Sequence, residues 1–193
     1  NTSKVLISEN IDQPTLLVLE ARASEFPDCT IDRNTVRDYV MGPIFSHVLG
    51  YNGRVTSNDL QSRVNYNTND YIGKVGLENY YETELRGTPG QLEITRTAIG
   101  VERGNEVLSE PISGYNLVLN IDADLQQETY RSLQASIKNV GAKKGAAVAL
   151  NPKTGQVMAL VSYPSYDNNM FSQGISQADF NKVNQNPYQP FFN

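Results

Sequence analysis

One cysteine, one histidine and no tryptophan stand among the 193 residues, and each scarcity excludes some chemistry. The lone Cys29 rules out an internal disulfide and any cysteine-built zinc site; it does not fix the redox compartment. The lone His47 leaves little for a histidine-rich metal centre or a Ser-His triad. Basic residues are outnumbered by acidic ones, 16 to 21, for a net charge of −5 and a pI of about 4.9. Lys and Arg are scattered along the sequence without the basic stripe of a nucleic-acid binder. Long apolar runs are missing too. Leu16 to Leu19 and Val157 to Val161 break far short of the roughly 20 residues of a membrane span. The chain opens on polar Asn1-Thr2-Ser3 with no initiator Met and no signal peptide, which leads us to expect a piece trimmed from something longer. What is present, 39% apolar and 19% charged residues with 14 Gly and 9 Pro, is a globular composition with room for one or two domains.

Periodicity and turn residues predict a helix from Pro14 to Ser24, capped by Asp12 and stopped by Pro27, with Leu16, Leu17, Val18 and Leu19 on its apolar side. Thr30 to Val40 reads as a strand ended by Gly42-Pro43, Ile44 to Tyr51 as an apolar segment of undetermined type, and Thr56 to Asp70 as a loop. Gly76 to Arg86 reads as one helix, with Leu77, Tyr80, Tyr81 and Leu85 on one face, Gly87 at its end and Tyr71 in its lead-in loop. Leu92 to Thr97, Glu106 to Ile112 and Asn116 to Ile121 read as strands. Asp124-Leu125-Gln126-Gln127 has the form of a capping box opening a helix that carries Leu125, Leu133 and Ile137 and closes near Gly141. Ala146 to Leu150 and Gln156 to Tyr163 are strands joined by the turn Asn151 to Gly155. Beyond Pro164 a short helix is expected near Ala178 to Val183, and Phe191 and Phe192 have no evident partner.

Lys153-Thr154-Gly155 has the K-T-G form that lines the active site of serine penicillin-recognising enzymes. That chemistry also needs a nucleophile in S-x-x-K. The seven lysines are preceded at minus three by Asn1, Tyr71, Ala135, Val140, Gly141, Leu150 and Asp179, so no serine holds the position and K-T-G reads as a turn. His47 lies in an apolar segment without a nucleophile or carboxylate beside it, which favours packing or capping over general-base work. Glu82 and Arg86, four apart on the expected helix, suggest a solvated ion pair worth about 0.3–0.5 kcal/mol. Gly73, Gly76, Gly87 and Gly90 are too far apart for a phosphate-cradling loop. No catalytic residue, cofactor or metal site is expected from these patterns.

The order of motifs says more. Arg37-Asp38-Tyr39 followed by Ser46-His47-Val48-Leu49-Gly50-Tyr51-Asn52-Gly53 resembles the R-x-Y and H-v-l-G-Y-x-G segments of class B penicillin-binding proteins. Tyr71 to Glu82, continuing through Leu85-Arg86-Gly87-Thr88-Pro89-Gly90, resembles their G-x-x-G-(L/I)-E-x-x-Y-(E/D)-x-x-L-x-G-x-x-G signature. Leu119 to Gln126 is similar to L-T-I-D-x-x-L-Q. Gly145 to Leu160, then Ser162 to Phe171, resembles the first transpeptidase strands and the P-S-(F/Y)-D-P-N-x-F loop, with Asn168 in place of the usual proline. Ile72-Gly73-Lys74-Val75-Gly76 points to the elongation branch, the penicillin-binding protein 2 family. Phe26-Pro27-Asp28-Cys29-Thr30 resembles that branch's F/L-P-G-V-x-V with Asp28 and Cys29 as departures. The septal branch is the alternative; an unrelated extracytoplasmic binding module is a further one.

The resemblance implies an α+β chain: an elongated pedestal (dimerisation) domain over 1–142 and the first strands of a transpeptidase α/β domain over 143–193. Pro190-Phe191-Phe192-Asn193 resembles the P-x-x-N-R-A approach to the nucleophile helix, so S-x-x-K is expected shortly after Asn193 and this chain is expected to be inactive. The parent would be a D,D-transpeptidase that cross-links peptidoglycan through a serine acyl-enzyme. Peptidoglycan and β-lactams would bind only through the missing catalytic part. The resemblance further implies a membrane anchor absent here, a place on the extracytoplasmic face of the bacterial membrane, and docking to a membrane-embedded glycan polymerase and rod-shape scaffold proteins. The structural or partner-contact candidates are Arg37, His47, Gly50, Tyr51, Gly76, Glu78, Tyr81, Leu85, Gly87 and Gly90, with glycines read as backbone geometry, Leu and Tyr as packing and Glu78 as an internal ion pair.

Overall fold

The computed structural model describes residues 7–8, 11–27, 29, 31, 36–97 and 102–191. The chain divides into two compact units, Asn1–Val36 and Arg37–Asn193. The first holds helix α1 (Gln13–Ala21), with proline in its first turn, followed by a single 3-10 turn at Ala23–Glu25. Asp12 occupies the cap position, but its side chain makes no capping hydrogen bond, and no residue of α1 is buried. Leu17 and Val18, expected on a packed side, are exposed. The strand expected over Thr30 to Val40 falls partly on residues 30 and 32–35, which lie outside the described residues; residues 36–39 are irregular.

In the second unit Gly42-Pro43 opens a helix instead of ending a strand. Proline's fixed φ and missing N–H suit a first turn, and α2 (Gly42–Leu49) takes in most of the apolar segment left undetermined by the sequence. Strand β1 (Tyr51–Arg54) pairs antiparallel with β2 (Tyr71–Val75), so Tyr71 lies on a strand and not in a loop. Between them, part of the expected loop is helix α3 (Ser57–Ser62). Thr56 and Asp59 cap it reciprocally: the Thr56 backbone N–H donates to Asp59 Oδ2 at 2.7 Å, and the Asp59 N–H to Thr56 Oγ1 at 3.4 Å. The single helix expected over Gly76 to Arg86 is two short ones, α4 (Gly76–Tyr80) and α5 (Glu82–Arg86), broken at Tyr81.

Strands β3 (Gln91–Arg96) and β4 (Glu102–Ser109) form an antiparallel hairpin, and Ile112 makes only an isolated bridge to Thr88. Asn116 to Ile121 is irregular, not a strand. Helix α6 (Ala123–Val140) is capped two residues before the expected position: Asp122, not Asp124, accepts the Leu125 N–H at 2.9 Å. It ends on Gly141 in the left-handed conformation. Strands β5 (Gly145–Leu150) and β6 (Val157–Tyr163) form the last hairpin, and α6 lies along it through Ile137 and Leu133, which meet the backbone at Gly145. Helices α7 (Asn169–Ser172) and α8 (Gln177–Asn184) complete the unit. Among the described residues the sheets are three separate antiparallel pairs. The interior is unusually mixed: Ile72, Ala159, Val161 and Phe171 are buried, and so are Ser46, Glu78, Glu82, Gln126, Asn168 and Ser172. Buried polar groups need partners, and tracing those partners leads to the site.

Candidate functional site

The segment Arg37 to Tyr51 is fastened to the segment Tyr163 to Phe191 by side chains that hydrogen-bond backbone. Asn169 spans both polar groups of Tyr39: its Oδ1 accepts the Tyr39 N–H at 2.8 Å and its Nδ2 donates to the Tyr39 carbonyl at 3.0 Å. Its amide thus takes the place of a neighbouring strand. The Ser172 hydroxyl donates to the Arg37 carbonyl at 3.0 Å, Asn168 Nδ2 to the Gly50 carbonyl at 2.9 Å, and the Tyr166 hydroxyl to the Ser46 carbonyl at 3.1 Å. Gln126, fully buried on α6, joins three elements. Its Nε2 donates to the carbonyls of Ile44 (2.9 Å) and Leu160 (2.7 Å), while its Oε1 accepts the Leu160 N–H at 2.8 Å.

Aromatic rings fill the space beneath these bonds. Tyr51 stacks on Phe171 with centroids 3.9 Å apart, and Tyr166 meets His47, Tyr51, Phe171 and Phe191 edge-on at 5.0–6.0 Å. Phe191, without a partner in the sequence reading, packs on Tyr166, Phe171 and Phe180. His47 Nε2 lies 2.8 Å from the Pro190 carbonyl, a geometry in which the ring N–H donates. Burial pushes the His47 pKa below its ordinary value, with the Pro190 bond opposing, and pushes the Tyr51 and Tyr166 hydroxyls up.

Below Tyr39 lies a buried carboxylate. Tyr39 donates its hydroxyl proton to Glu78 Oε1 at 3.2 Å and accepts the Asn52 N–H at 3.0 Å, and Arg37 Nε stands 3.1 Å from the same carboxylate oxygen. Burial raises the Glu78 pKa in spite of Arg37 and Tyr39, and it raises that of Tyr39 further still. Glu82, expected to be solvated, is buried: its Oε2 accepts the Gly73 N–H at 2.8 Å and its Oε1 the Tyr66 hydroxyl at 2.7 Å. Arg86 lies 3.6 Å over the Tyr66 ring and reaches Asp70 at 3.1 Å.

The candidates chosen from the sequence therefore fall into groups. Arg37 and Glu78 meet; His47 and Tyr51 line the aromatic cluster. Gly50 and Gly76 press backbone on backbone. Both have positive φ (76° and 65°), and a Cβ on Gly50 would sit 1.9 Å from the Val75 carbonyl oxygen, so no side chain fits there. Tyr81 marks the break between α4 and α5, with its ring against Tyr80. Leu85 is half-buried with its carbonyl beside Gly114; Gly87 ends α5 and faces Ile112, and Gly90 abuts Pro111. These last four stand apart from the clasp. Tyr39, Gln126, Tyr166, Asn169 and Ser172, which do most of its bonding, were not chosen, although each lies in or beside a quoted motif. Among the described residues no cluster of three metal-ligating side chains occurs. The Ser172 and Tyr39 hydroxyls donate hydrogen bonds to the Arg37 carbonyl and the Glu78 carboxylate, respectively, and the arrangement as a whole fastens two segments together.

Comparison with known proteins accounts for the two segments. Residues 1–119 match the penicillin-binding protein dimerisation domain, and residues 145–190 the penicillin-binding protein transpeptidase domain. The peptidoglycan D,D-transpeptidase MrdA of Acinetobacter baumannii is 32% identical over 100% of this chain, and that of Escherichia coli K12 is 30% identical over 99%. The chain spans 28% and 30% of the length of those relatives. Among solved structures, PBP2 of Helicobacter pylori in its complex with MreC superposes with a TM-score of 0.75 at 29% identity, covering 95% of this chain and 33% of that one. Pseudomonas aeruginosa PBP2 gives 0.65 at 34% identity, covering 83% of this chain and 31% of that one. The clasp joins residues of the first match to residues of the second. The chain belongs to the penicillin-binding proteins of the PBP2 type, with their dimerisation domain and the start of their transpeptidase domain.

Proposed function

We propose that this chain serves as the non-catalytic positioning part of a peptidoglycan D,D-transpeptidase of cell-wall elongation, holding the catalytic domain in a set orientation. The observation that carries this reading is the clasp: Gln126, Tyr166, Asn168, Asn169 and Ser172 tie the catalytic-side hairpin and loop to the pedestal-side segment 37–50 through buried, directional bonds. A fastening of that kind transmits orientation, since several directional bonds must be satisfied together and each weakens steeply once bent below about 120°. We take 1–142 as the pedestal and 143–193 as the catalytic edge. On this reading the ten residues chosen from the sequence, Arg37 to Gly90, are structural. The acyl-enzyme chemistry that β-lactams block belongs to the parent.

The partners we propose are a rod-shape scaffold protein of the MreC kind, as found with the Helicobacter pylori relative, and a membrane-embedded glycan polymerase. The place is the extracytoplasmic face of the cell membrane. Among the described residues no helix is long and apolar enough to cross a membrane. The test is to incubate the purified chain with a fluorescent penicillin and, separately, with the extracytoplasmic part of a scaffold protein of that kind. No covalent label is expected, because no serine precedes a lysine by three residues; complex formation with the scaffold is expected. Stoichiometric labelling would overturn the positioning reading, and absence of the complex beside a folded control would leave a spacer without a docking role.

A further inference from the structure

Past α8 the chain makes a turn with a costly backbone. Gln189 has a φ of 50°, in the left-handed region, although it is neither glycine nor asparagine. It also precedes Pro190, and the residue before a proline is pushed toward an extended φ of about −120°. Three bonds build the turn. The Tyr188 N–H donates to Asn186 Oδ1, the Gln189 N–H to the Asn186 carbonyl and Lys144 Nζ to Gln189 Oε1, each at 2.9 Å. Residues 187–189 are exposed, yet Pro190 directly after them is buried. A buried carbonyl needs a donor, and here the donor is His47, 143 residues earlier, with Nε2 at 2.8 Å.

Two ordinary roles for this histidine do not account for that bond. His47 lies in the last turn of α2, where a cation complements the helix dipole; burial holds its pKa below the ordinary value, so the ring is largely neutral at about pH 7. Packing edge-on against Tyr166 asks for an apolar side chain, not for an N–H aimed at one carbonyl. Strained backbone persists only where its surroundings over-determine it. Beyond the turn, those surroundings are the His47 bond and the Phe191 ring, which packs on Tyr166, Phe171 and Phe180. We propose that His47 is a positioning residue, an inference that rests on the positioning reading above: it fixes the Pro190 carbonyl, and thereby the direction of the chain beyond the strained turn, in the full-length transpeptidase. Without the bond, Gln189 relaxes toward an extended φ and the residues after it swing away from α2.

The test is the rate at which a fluorescent penicillin acylates the full-length transpeptidase, at a temperature where every variant is folded. His47→Leu fills the space without a donor, whereas His47→Gln supplies an amide N–H at about the reach of Nε2. Tyr66→Phe, which removes the bond to Glu82, controls for the loss of a hydrogen bond outside the clasp. His47→Leu should be acylated at least fivefold more slowly, with His47→Gln and Tyr66→Phe within twofold of the unaltered enzyme. Should His47→Leu fail to fold, His47→Asn, whose amide stops short of the Pro190 carbonyl, decides at the same threshold. Unfolding of both would make His47 a stability residue alone and overturn the proposal. An unchanged rate in His47→Leu, no recovery in His47→Gln, or an equal loss in Tyr66→Phe would each overturn it while the positioning reading stands. No labelling of the unaltered enzyme would overturn that reading, and this inference with it.

Discussion

Gln126 shows how much of this fold rests on single polar side chains. Its amide is fully buried and closes three hydrogen bonds, to Ile44 on α2 and to both polar groups of Leu160 on β6. Gln126→Leu keeps the volume but leaves those backbone groups buried and unpaired, at about 1–3 kcal/mol for each that water fails to reach. A loss of roughly 2–4 kcal/mol is expected, read as a lower denaturation midpoint at unchanged m-value. A loss under about 1 kcal/mol would mean that the amide is not a joint. Asn168 is a second instance. Its φ of −69° is the value proline would impose, so the departure from the motif keeps the backbone and adds the bond to Gly50. From sequence, Gln126 was visible only as part of a cap and Asn168 only as a mismatch, because hydrogen-bond partners 34 to 118 residues away leave no local signature.

At the scale of elements, the helices were legible where a local rule applied. The α6 helix, the β5–β6 hairpin and α8 follow from apolar spacing, caps and turn residues. The α4–α5 region did not, because its buried residues are Glu78 and Glu82, the opposite of what hydrophobic periodicity assumes. Helix α2 supplies a pH prediction. His47, in its last turn, has a folded pKa held below the ordinary value near 6.5. The unfolded chain therefore binds the proton more readily, so this group's stability contribution is present above about pH 6.5 and lost as pH falls through the folded pKa. The melting temperature should drop between about pH 7 and 5, and His47→Gln should flatten that drop. Two carboxylates also contribute. Glu78, with its pKa raised by burial, contributes with the opposite sign: it favours the fold below the ordinary carboxylate range and loses that contribution as pH rises through its raised pKa. Asp59, brought down to about 2 by Lys74 and Thr56, loses its contribution only below about pH 4. An identical pH slope in the variant would remove His47 as the cause.

For the whole molecule, the two family matches meet inside one compact unit, Arg37–Asn193. A chain ended at residue 142 would lose Asn169 from Tyr39, Ser172 from Arg37, Tyr166 from Ser46 and Leu160 from Gln126 together. Hydrogen exchange should then show the amides of residues 39–50 unprotected while the amino-terminal turns of α6 stay partly protected; full protection of 39–50 would mean that the pedestal folds without the clasp. The amino-acid sequence by itself excluded an internal disulfide and a cysteine-built zinc site within these 193 residues, and determined the lack of S-x-x-K among them, the motif order that carries the family resemblance, and the elements set by local caps, turns and periodicity. Those depend on residue identity and on neighbours within a few positions. Only the tertiary structure decided that Glu78 and Glu82 are inside, that Phe191 is packed, and that Asn169 stands in for a strand beside Tyr39. Each of these depends on which distant backbone groups and side chains the fold brings within bonding distance, and on how much water it removes from between them.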